Sequence, residues 1–189
     1  MRNSLTGVLV VAVLAAFLAA PSGAGELSGV TLPDSIEIEG QKLILNGMAL
    51  RKVAIVKVYV AGLYVPERVT TGEAVLDADA PRRVVMSWLR SGGKERICDG
   101  WYEGLEANTP NAPAEVHAQF DELCSWMPDA EKGDKFVFHY KPGMGTGVVI
   151  NGERKGAIEG KAFADALWRV WIGDNPGPGQ KFKKDLLGG

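Results

Sequence analysis

The sequence has few of the residues that form metal centres or nucleophilic sites. Its only two histidines, His117 and His139, are far apart and have no histidine or cysteine neighbour at ligand spacing, which argues against a metal site. His139 lies within a strand-like run, where a half-buried structural role is the better interpretation. No Gly-x-Ser-x-Gly sequence occurs, so a serine hydrolase with a nucleophile elbow is excluded. The sequence predicts neither a metal ion nor a cofactor.

Blocks of like charge are also missing. The chain has 21 Lys and Arg residues against 23 Asp and Glu residues, and no run of one sign occurs. This balance predicts affinity neither for nucleic acid nor for an anionic membrane surface. The apolar fraction of 46% is ordinary for a globular chain, so a packed domain is expected, while the oligomeric state is left open.

Long apolar runs are confined to the start of the chain. Met1 and Arg2 carry positive charge, Val8–Ala20 is an uninterrupted apolar run, and small residues follow at 22–24. This order predicts a signal peptide over residues 1–24, a mature domain over residues 25–189 and a periplasmic or secreted protein. An uncleaved N-terminal anchor is the alternative. No later stretch approaches the length of a membrane span, so no stable span is predicted after signal cleavage.

Cysteine is scarce, with only Cys98 and Cys124 in the chain. An even number in an exported protein favours a disulfide. Helical runs at Lys94–Asn108 and Ala114–Met127 flank a Pro-rich breaker, and residue 111 of that breaker lies midway between the cysteines. An antiparallel helix pair would therefore hold the two thiols level. We predict a Cys98–Cys124 bond worth about 3 kcal/mol; the alternative is two buried small apolar side chains.

The rest of the chain divides into strand-like and helix-like segments. Strands are predicted at Ser35–Glu39, Lys42–Leu45, Leu50–Val65, Arg82–Leu89, Lys135–Tyr140 and Gly147–Ile150, with tight turns at Asn46-Gly47 and Asn151-Gly152. Further helices are predicted at Thr71–Ala78, Lys161–Ile172 and Lys181–Leu187. The order of strands, helix pair, strands and helices indicates one α+β domain with an antiparallel sheet and helices gathered on one side.

Leu50–Val65 is the most unusual of these segments. If it runs as one strand without a bulge, Arg51, Lys57 and Tyr59 share a face. A strand apolar on both faces is normally covered on both, which makes buried cations costly unless an anion pairs with them. Arg51 and Tyr59 could together hold a ligand anion, whereas Lys57 could extend to water. The alternative is that Arg51 pairs with a nearby glutamate and Tyr59 is ordinary core.

Several segments, taken in order, resemble the chalcone isomerase-like family, in particular a bacterial, exported branch. They are GMALRK, VKVYVAGLYVPE, WYEGLEAN, GKAFADALWRVWIGD and a closing KKDLLG. The resemblance covers nearly all of the mature chain. It implies an open-faced β-sandwich in which a large antiparallel sheet carries helices layered on one face, with a ligand cleft between sheet and helices.

The resemblance also suggests roles for individual residues. Plant chalcone isomerases use an arginine and a threonine on adjoining strands, with a tyrosine and an asparagine on a helix, to cyclise a phenolate onto an enone. Arg51 and Asn108 match the arginine and the asparagine. Tyr59 stands at the threonine position and Trp101 at the tyrosine position. A phenol in place of a threonine fills space that the substrate would need.

Non-catalytic relatives with this fold bind fatty acids through an arginine and a tyrosine. Arg51 and Tyr59 suit that role, so the resemblance implies a protein that binds a small amphipathic carboxylate such as a fatty acid. Trp101, Asn108 and Lys57 are further candidates for ligand binding.

Two other functions stay open at this point. The first is an intramolecular lyase of the chalcone isomerase type that uses Arg51, Tyr59 and Asn108. The second is a structural or partner-binding envelope protein, which would need exposed aromatic side chains at positions such as Trp168 or Trp171.

Overall fold

A computed structural model describes residues 24–38 and 40–189. The predicted export signal therefore lies outside the described residues, except for Ala24. The strands are β1 (Ala24–Leu27), β2 (Val30–Pro33), β3 (Ser35–Ile38), β4 (Gln41–Val53), β5 (Val56–Val65), β6 (Arg82–Trp88), β7 (Lys135–Lys141), β8 (Gly145–Ile150) and β9 (Glu153–Ile158). The helices are α1 (Gly72–Asp77), α2 (Lys94–Asn108), α3 (Ala114–Ser125), α4 (Lys161–Ile172) and α5 (Gln180–Leu186).

Strands β3 to β9 form one antiparallel sheet of seven strands in chain order, and β1 pairs with β2 as a separate two-stranded sheet. The helices cover one face of the large sheet, where the alternating side chains Phe136, Phe138 and Tyr140 of β7 are buried against them. Helix α4 is buried along most of its length, including Phe163 and Leu167. The fold class is α+β with helices layered on one face of an antiparallel sheet, as the sequence predicts.

The β1–β2 hairpin covers part of the opposite face. Leu32 packs there with Leu43, Leu45 and Tyr64 in a second, smaller apolar cluster, and the Tyr64 hydroxyl donates a hydrogen bond of 2.9 Å to the Pro33 carbonyl. A Cβ on Gly62 of β5 would collide with the Leu32 side chain. The absence of a side chain at Gly62 therefore lets the hairpin lie flat on the sheet.

The prediction of a single strand over Leu50–Val65 is wrong. The chain turns at Ala54 and Ile55, so Arg51 ends one strand and Tyr59 begins the next. The two residues are direct partners across the β4–β5 ladder, and direct partners point to the same side of a sheet. The turn contains none of the Gly, Asn, Asp or Pro residues that mark hairpins, and this is why the sequence concealed it.

The prediction of a turn at Asn46-Gly47 is also wrong, because both residues lie inside β4 at an irregularity in the register. Asn46 is buried; its side-chain amide donates to the Val69 and Leu186 carbonyls, and its carbonyl oxygen accepts from the Val69 amide. A Cβ on Gly47 would collide with backbone oxygens near the end of α5. The pair thus holds the loop after β5 and α5 against the sheet.

The predicted helix pair and its disulfide are present. Helix α2 has the predicted bounds, and α3 ends two residues earlier than predicted. Cys98 and Cys124 form a disulfide with their Cα atoms 5.7 Å apart. Asn151 and Gly152 form the predicted turn between β8 and β9, and both have positive φ. Within the part of the chain that the structure describes, no helix combines the length and apolarity needed to cross a membrane.

Candidate functional site

A cleft of about 780 Å³ opens at one end of the large sheet, within the usual size range of small-molecule sites. Its walls come from the β4–β5 tip, the end of β6, the first turns of α2, the end of α4 and the loop before α5. Its lining residues include Arg51, Val53, Val56, Val58, Tyr59, Met86, Trp88, Arg90, Arg96, Ile97, Asp99, Trp101, Glu103, Val170 and Trp171.

Strand pairing places three of these residues in a row. Arg51 of β4 faces Tyr59 of β5, and Tyr59 in turn faces Trp88 of β6. The register between β4 and β5 shifts at this point, so Val58 has no partner on β4 and Lys57 pairs with Lys52. Val56, Val58 and Tyr59 therefore all line the cleft, whereas Lys57 does not. A bulge of this kind re-aims side chains that strict alternation would place on the other face.

Tyr59 is held firmly in the cleft wall. Its ring packs against Trp88 at 5.5 Å and against Phe182 of α5 at 5.9 Å between ring centroids. Burial raises the pKa of Tyr59 to about 12, although a hydrogen bond with the Trp171 side chain and the charge of Arg51 act in the opposite direction. The phenol is therefore neutral at physiological pH and can donate its hydrogen to an anion.

Arg51 has no hydrogen-bond or ion-pair partner among the described residues, so the alternative that it pairs with a neighbouring glutamate does not hold there. It is half-buried at the edge of the cleft. A guanidinium cannot lose its charge and offers paired N–H donors that match a carboxylate. Arg51 and the neutral phenol of Tyr59 therefore both present hydrogen-bond donors at the cleft.

The floor of the cleft is aromatic and its rim is charged. Trp88, Trp101 and Trp171 are buried, and Trp101 is fixed by an edge-on contact with Phe138 at 5.5 Å. On the rim, the exposed side chains of Arg90, Arg96, Asp99 and Glu103 reach solvent. An apolar group can lie on the floor while a charged group remains at the edge.

Asn108 and Lys57, two candidates from the sequence, do not line the cleft. The Asn108 amide donates to the Gly104 and Asn175 carbonyls at 2.9 and 2.8 Å, and its carbonyl oxygen accepts from the Asn175 amide at 2.7 Å. Both ends of its side chain are therefore used to join α2 to the loop after α4. Lys57 is exposed on the other side of the β4–β5 tip.

Trp168 and Trp171 are both core residues, exposed by 0% and 1%. The idea of a partner-binding protein with exposed tryptophans at these positions is therefore wrong. Trp171 instead helps to line the cleft.

Sequence patterns assign no cleft role to four residues that line the cleft: Trp88, Arg90, Arg96 and Trp171. One signal was available for the rim. Arg96, Asp99 and Glu103 recur at spacings of three and four residues, which places them on one side of a helix. Trp88 and Trp171 had no such signal, because only the packing of the helices on the sheet brings them to the same cleft.

A layered α+β fold with a cleft between sheet and helices defines the class of protein, and comparison with known proteins identifies the family. The model of the chalcone isomerase-like family matches residues 24–188, so the chain belongs to that family. No curated protein matches the chain.

Among solved structures, the chain is similar to the crystal structure of a fatty-acid binding protein from Arabidopsis thaliana, with a TM-score of 0.68. The two sequences are 14% identical, and the match covers 87% of this chain and 96% of the plant chain. At this identity the likeness shows a shared fold.

Proposed function

We propose that this protein binds a small amphipathic carboxylate, such as a fatty acid, in the cleft and does not catalyse a reaction on it. The observation that carries the proposal is the unpaired Arg51 facing the neutral Tyr59 across the β4–β5 ladder. Arg51 would donate two N–H hydrogen bonds to the carboxylate, and Tyr59 would donate a third. The fatty-acid binding of the similar plant protein adds support.

The tail of the ligand would lie on the floor of the cleft. Trp88, Trp101 and Trp171 offer apolar faces there, with Met86 and Val170 beside them. Burial of an alkyl chain contributes about 0.8 kcal/mol for each methylene removed from water. That gain offsets the loss of water from the carboxylate and from Arg51.

A direct test measures laurate binding by titration calorimetry, together with mass spectrometry of lipid released from the purified protein. Arg51→Gln should weaken laurate binding by at least about tenfold, because a charge-assisted hydrogen bond is lost. Tyr59→Phe should cost less, about fivefold, because a neutral bond is lost. Arg154→Gln, which changes an arginine of β9 outside the cleft, is the matched control and should leave affinity unchanged.

Two results would contradict the proposal. One is the absence of lipid in the purified protein together with no binding of added laurate. The other is an affinity that Arg51→Gln and Arg154→Gln leave equally unaffected.

Chalcone cyclisation remains a second candidate because the family match and Arg51 in the cleft favour it. Against it stands Asn108, whose amide is fully engaged outside the cleft. Loss of the chalcone absorbance band above the spontaneous rate, and abolished by Arg51→Ala, would establish the activity. A rate equal to the spontaneous rate, or a faster rate that Arg51→Ala leaves unchanged, would exclude chalcone cyclisation at this site.

The proposal includes export to the periplasm or the exterior, as in a bacterial branch of the family, with residues 1–24 as the signal and 25–189 as the domain. The basic and apolar start of the chain and the Cys98–Cys124 disulfide support it. The intact mass of protein recovered from a periplasmic extract tests it, since cleavage after Ala24 gives one defined mass.

A further inference from the structure

Among the described residues, the large exposed apolar side chains are concentrated at one hairpin tip. Four large ones are exposed among the described residues, and three belong to the β4–β5 tip: Val53 at 53%, Ile55 at 93% and Val56 at 37%. The fourth, Met144 at 57%, lies in the turn between β7 and β8. Scattered exposed apolar residues are normal, but adjacent ones on a projecting hairpin mark a surface that is covered in use.

The same tip carries positive charge that has no counterpart. Lys52 and Lys57 face each other directly across the two strands, and both are exposed. Directly opposed like charges destabilise a strand pair, and neither lysine has an ion-pair partner among the described residues. Residues 41–65, which make up the whole hairpin, contain four basic residues and no acidic one.

From these features we propose that the β4–β5 tip (residues 52–57) is a docking element that inserts Ile55 into the surface of an anionic phospholipid bilayer. Ile55 at the apex would enter the boundary between headgroups and acyl chains. Lys52 and Lys57 would stay at the level of the phosphates, which supply the negative charge that the hairpin lacks. The near-zero net charge of the whole chain does not indicate this basic patch, because acidic residues elsewhere balance it.

The position of the tip connects docking to the cleft. Val53 and Val56 belong to both the tip and the cleft wall, so a docked tip would hold the mouth of the cleft against the bilayer. A lipid could then move between bilayer and cleft without crossing bulk water. This last step rests on the proposed ligand, whereas docking itself does not.

A second copy of the chain is a poorer occupant. Tip-to-tip pairing would bring two Lys52 and two Lys57 side chains together with no acidic residue on either hairpin. Bringing these like charges together costs electrostatic free energy, and neither hairpin has a negative charge that would offset it. An anionic surface instead gains from each lysine.

The test places a fluorophore at the tip. The protein is purified in the form that the cell produces, and its intact mass identifies the N-terminal residue. Because both native cysteines form a disulfide, Ile55→Cys can be labelled selectively with a polarity-sensitive dye. Phosphatidylcholine vesicles with about one third phosphatidylglycerol should shift the dye emission to the blue, and pure phosphatidylcholine vesicles should not. Met144→Cys, labelled in the same way, is the control and should not respond.

Unlabelled variants give the strength of docking by sedimentation with the same vesicles. Lys52→Gln and Lys57→Gln should each weaken binding about fivefold, and Ile55→Ser should weaken it about tenfold. Met144→Ser should bind as the unchanged protein does. Raised salt should weaken vesicle binding by the unchanged protein, as the lysine substitutions do, because salt screens the charges of Lys52 and Lys57.

Three results would overturn the inference: no vesicle binding, binding that Ile55→Ser leaves unchanged, or a dimer that Ile55→Ser dissociates. The third would assign the tip to a second copy. Laurate binding in solution separates this inference from the proposed function, because Ile55→Ser should leave it unchanged and Arg51→Gln should weaken it. Vesicle docking without laurate binding would support the role of the tip and contradict the proposed ligand.

Discussion

Arg82 is the most deeply buried charge in the described structure, exposed by only 1%. It donates to Asp165 of α4 at 2.5 Å and to the Val75 carbonyl of α1 at 2.8 Å. Asp165 also accepts from Lys161 at 2.6 Å. Burial lowers the pKa of Arg82, while the hydrogen bond and charge of Asp165 oppose that change. This network joins the sheet to two helices, and no local sequence pattern indicates it.

Removing one partner of this network should be costly. Asp165→Asn leaves the Arg82 charge buried without its anion, so we expect the free energy of unfolding to fall by about 3 kcal/mol. The double change Arg82→Met with Asp165→Leu should recover much of that loss, because no charge remains buried. Urea unfolding of the three proteins makes the comparison.

The control for this prediction is the exposed pair of Lys181 and Asp185 on α5, with nitrogen and oxygen 2.7 Å apart. Lys181→Gln should change stability by less than about 0.5 kcal/mol. An Asp165→Asn effect as small as that of Lys181→Gln would mean that water screens the Arg82 charge after all.

His139 predicts a pH effect on stability. Burial lowers its pKa, and the charges of Arg83 and Arg154 lower it further. The unfolded chain therefore takes up a proton near pH 6.5, as a free histidine does, before the folded chain does. The stability present above about pH 6.5 is lost as the pH falls through the lower folded pKa.

His139→Gln removes this titration, so its stability should fall less than that of the unchanged protein between about pH 7 and about pH 5.5. Urea midpoints at the two pH values measure the difference. Parallel pH curves for the two proteins would show that His139 does not titrate differently in the folded state.

At the scale of elements, helices with regular apolar spacing were predictable, whereas the β4–β5 turn and the irregularity inside β4 were not. Helices α2 and α4 have the bounds that their apolar spacing predicts. The sequence predicts one strand where β4 and β5 form a hairpin, because Ala54, with φ of 52°, occupies a position that favours glycine. At Asn46 the opposite holds, since a residue typical of turns lies inside a strand and binds the loop after β5 and the end of α5.

The α2–α3 pair provides a prediction about the disulfide. Cys98 and Cys124 are separated by 26 positions, and both are buried. Replacing both by alanine should lower the free energy of unfolding by about 3 kcal/mol, because the unfolded chain regains the freedom that the bond removed. Thermal or urea unfolding measures the loss, and reduction of the unchanged protein should reproduce it. Two titratable thiols in the denatured, unreduced protein would contradict the bond.

For the whole molecule, the class of fold was predictable from the order of elements, but three of its strands were not. The β1–β2 hairpin and β9 were missed, because β1 and β2 are only four residues long and β9, ERKGAI, has little apolar alternation. The cleft was foreseen only in part. Arg51, Tyr59 and Trp101 lie in it, while Trp88 and Trp171 reach it through packing between distant parts of the chain, which no local pattern encodes.

The consecutive order of β3 to β9 has a consequence for how the chain folds. Each strand pairs with the strand that precedes it, so sheet assembly needs few long loop closures and can proceed as the chain emerges. Helix α4, whose Trp171 packs on Phe138 of β7 with ring centroids 5.7 Å apart, comes after the last strand. Until it docks, the aromatic ring of Phe138 lacks this cover and is open to solvent and to other chains. The period before α4 arrives is therefore when we expect this protein to be most prone to aggregation.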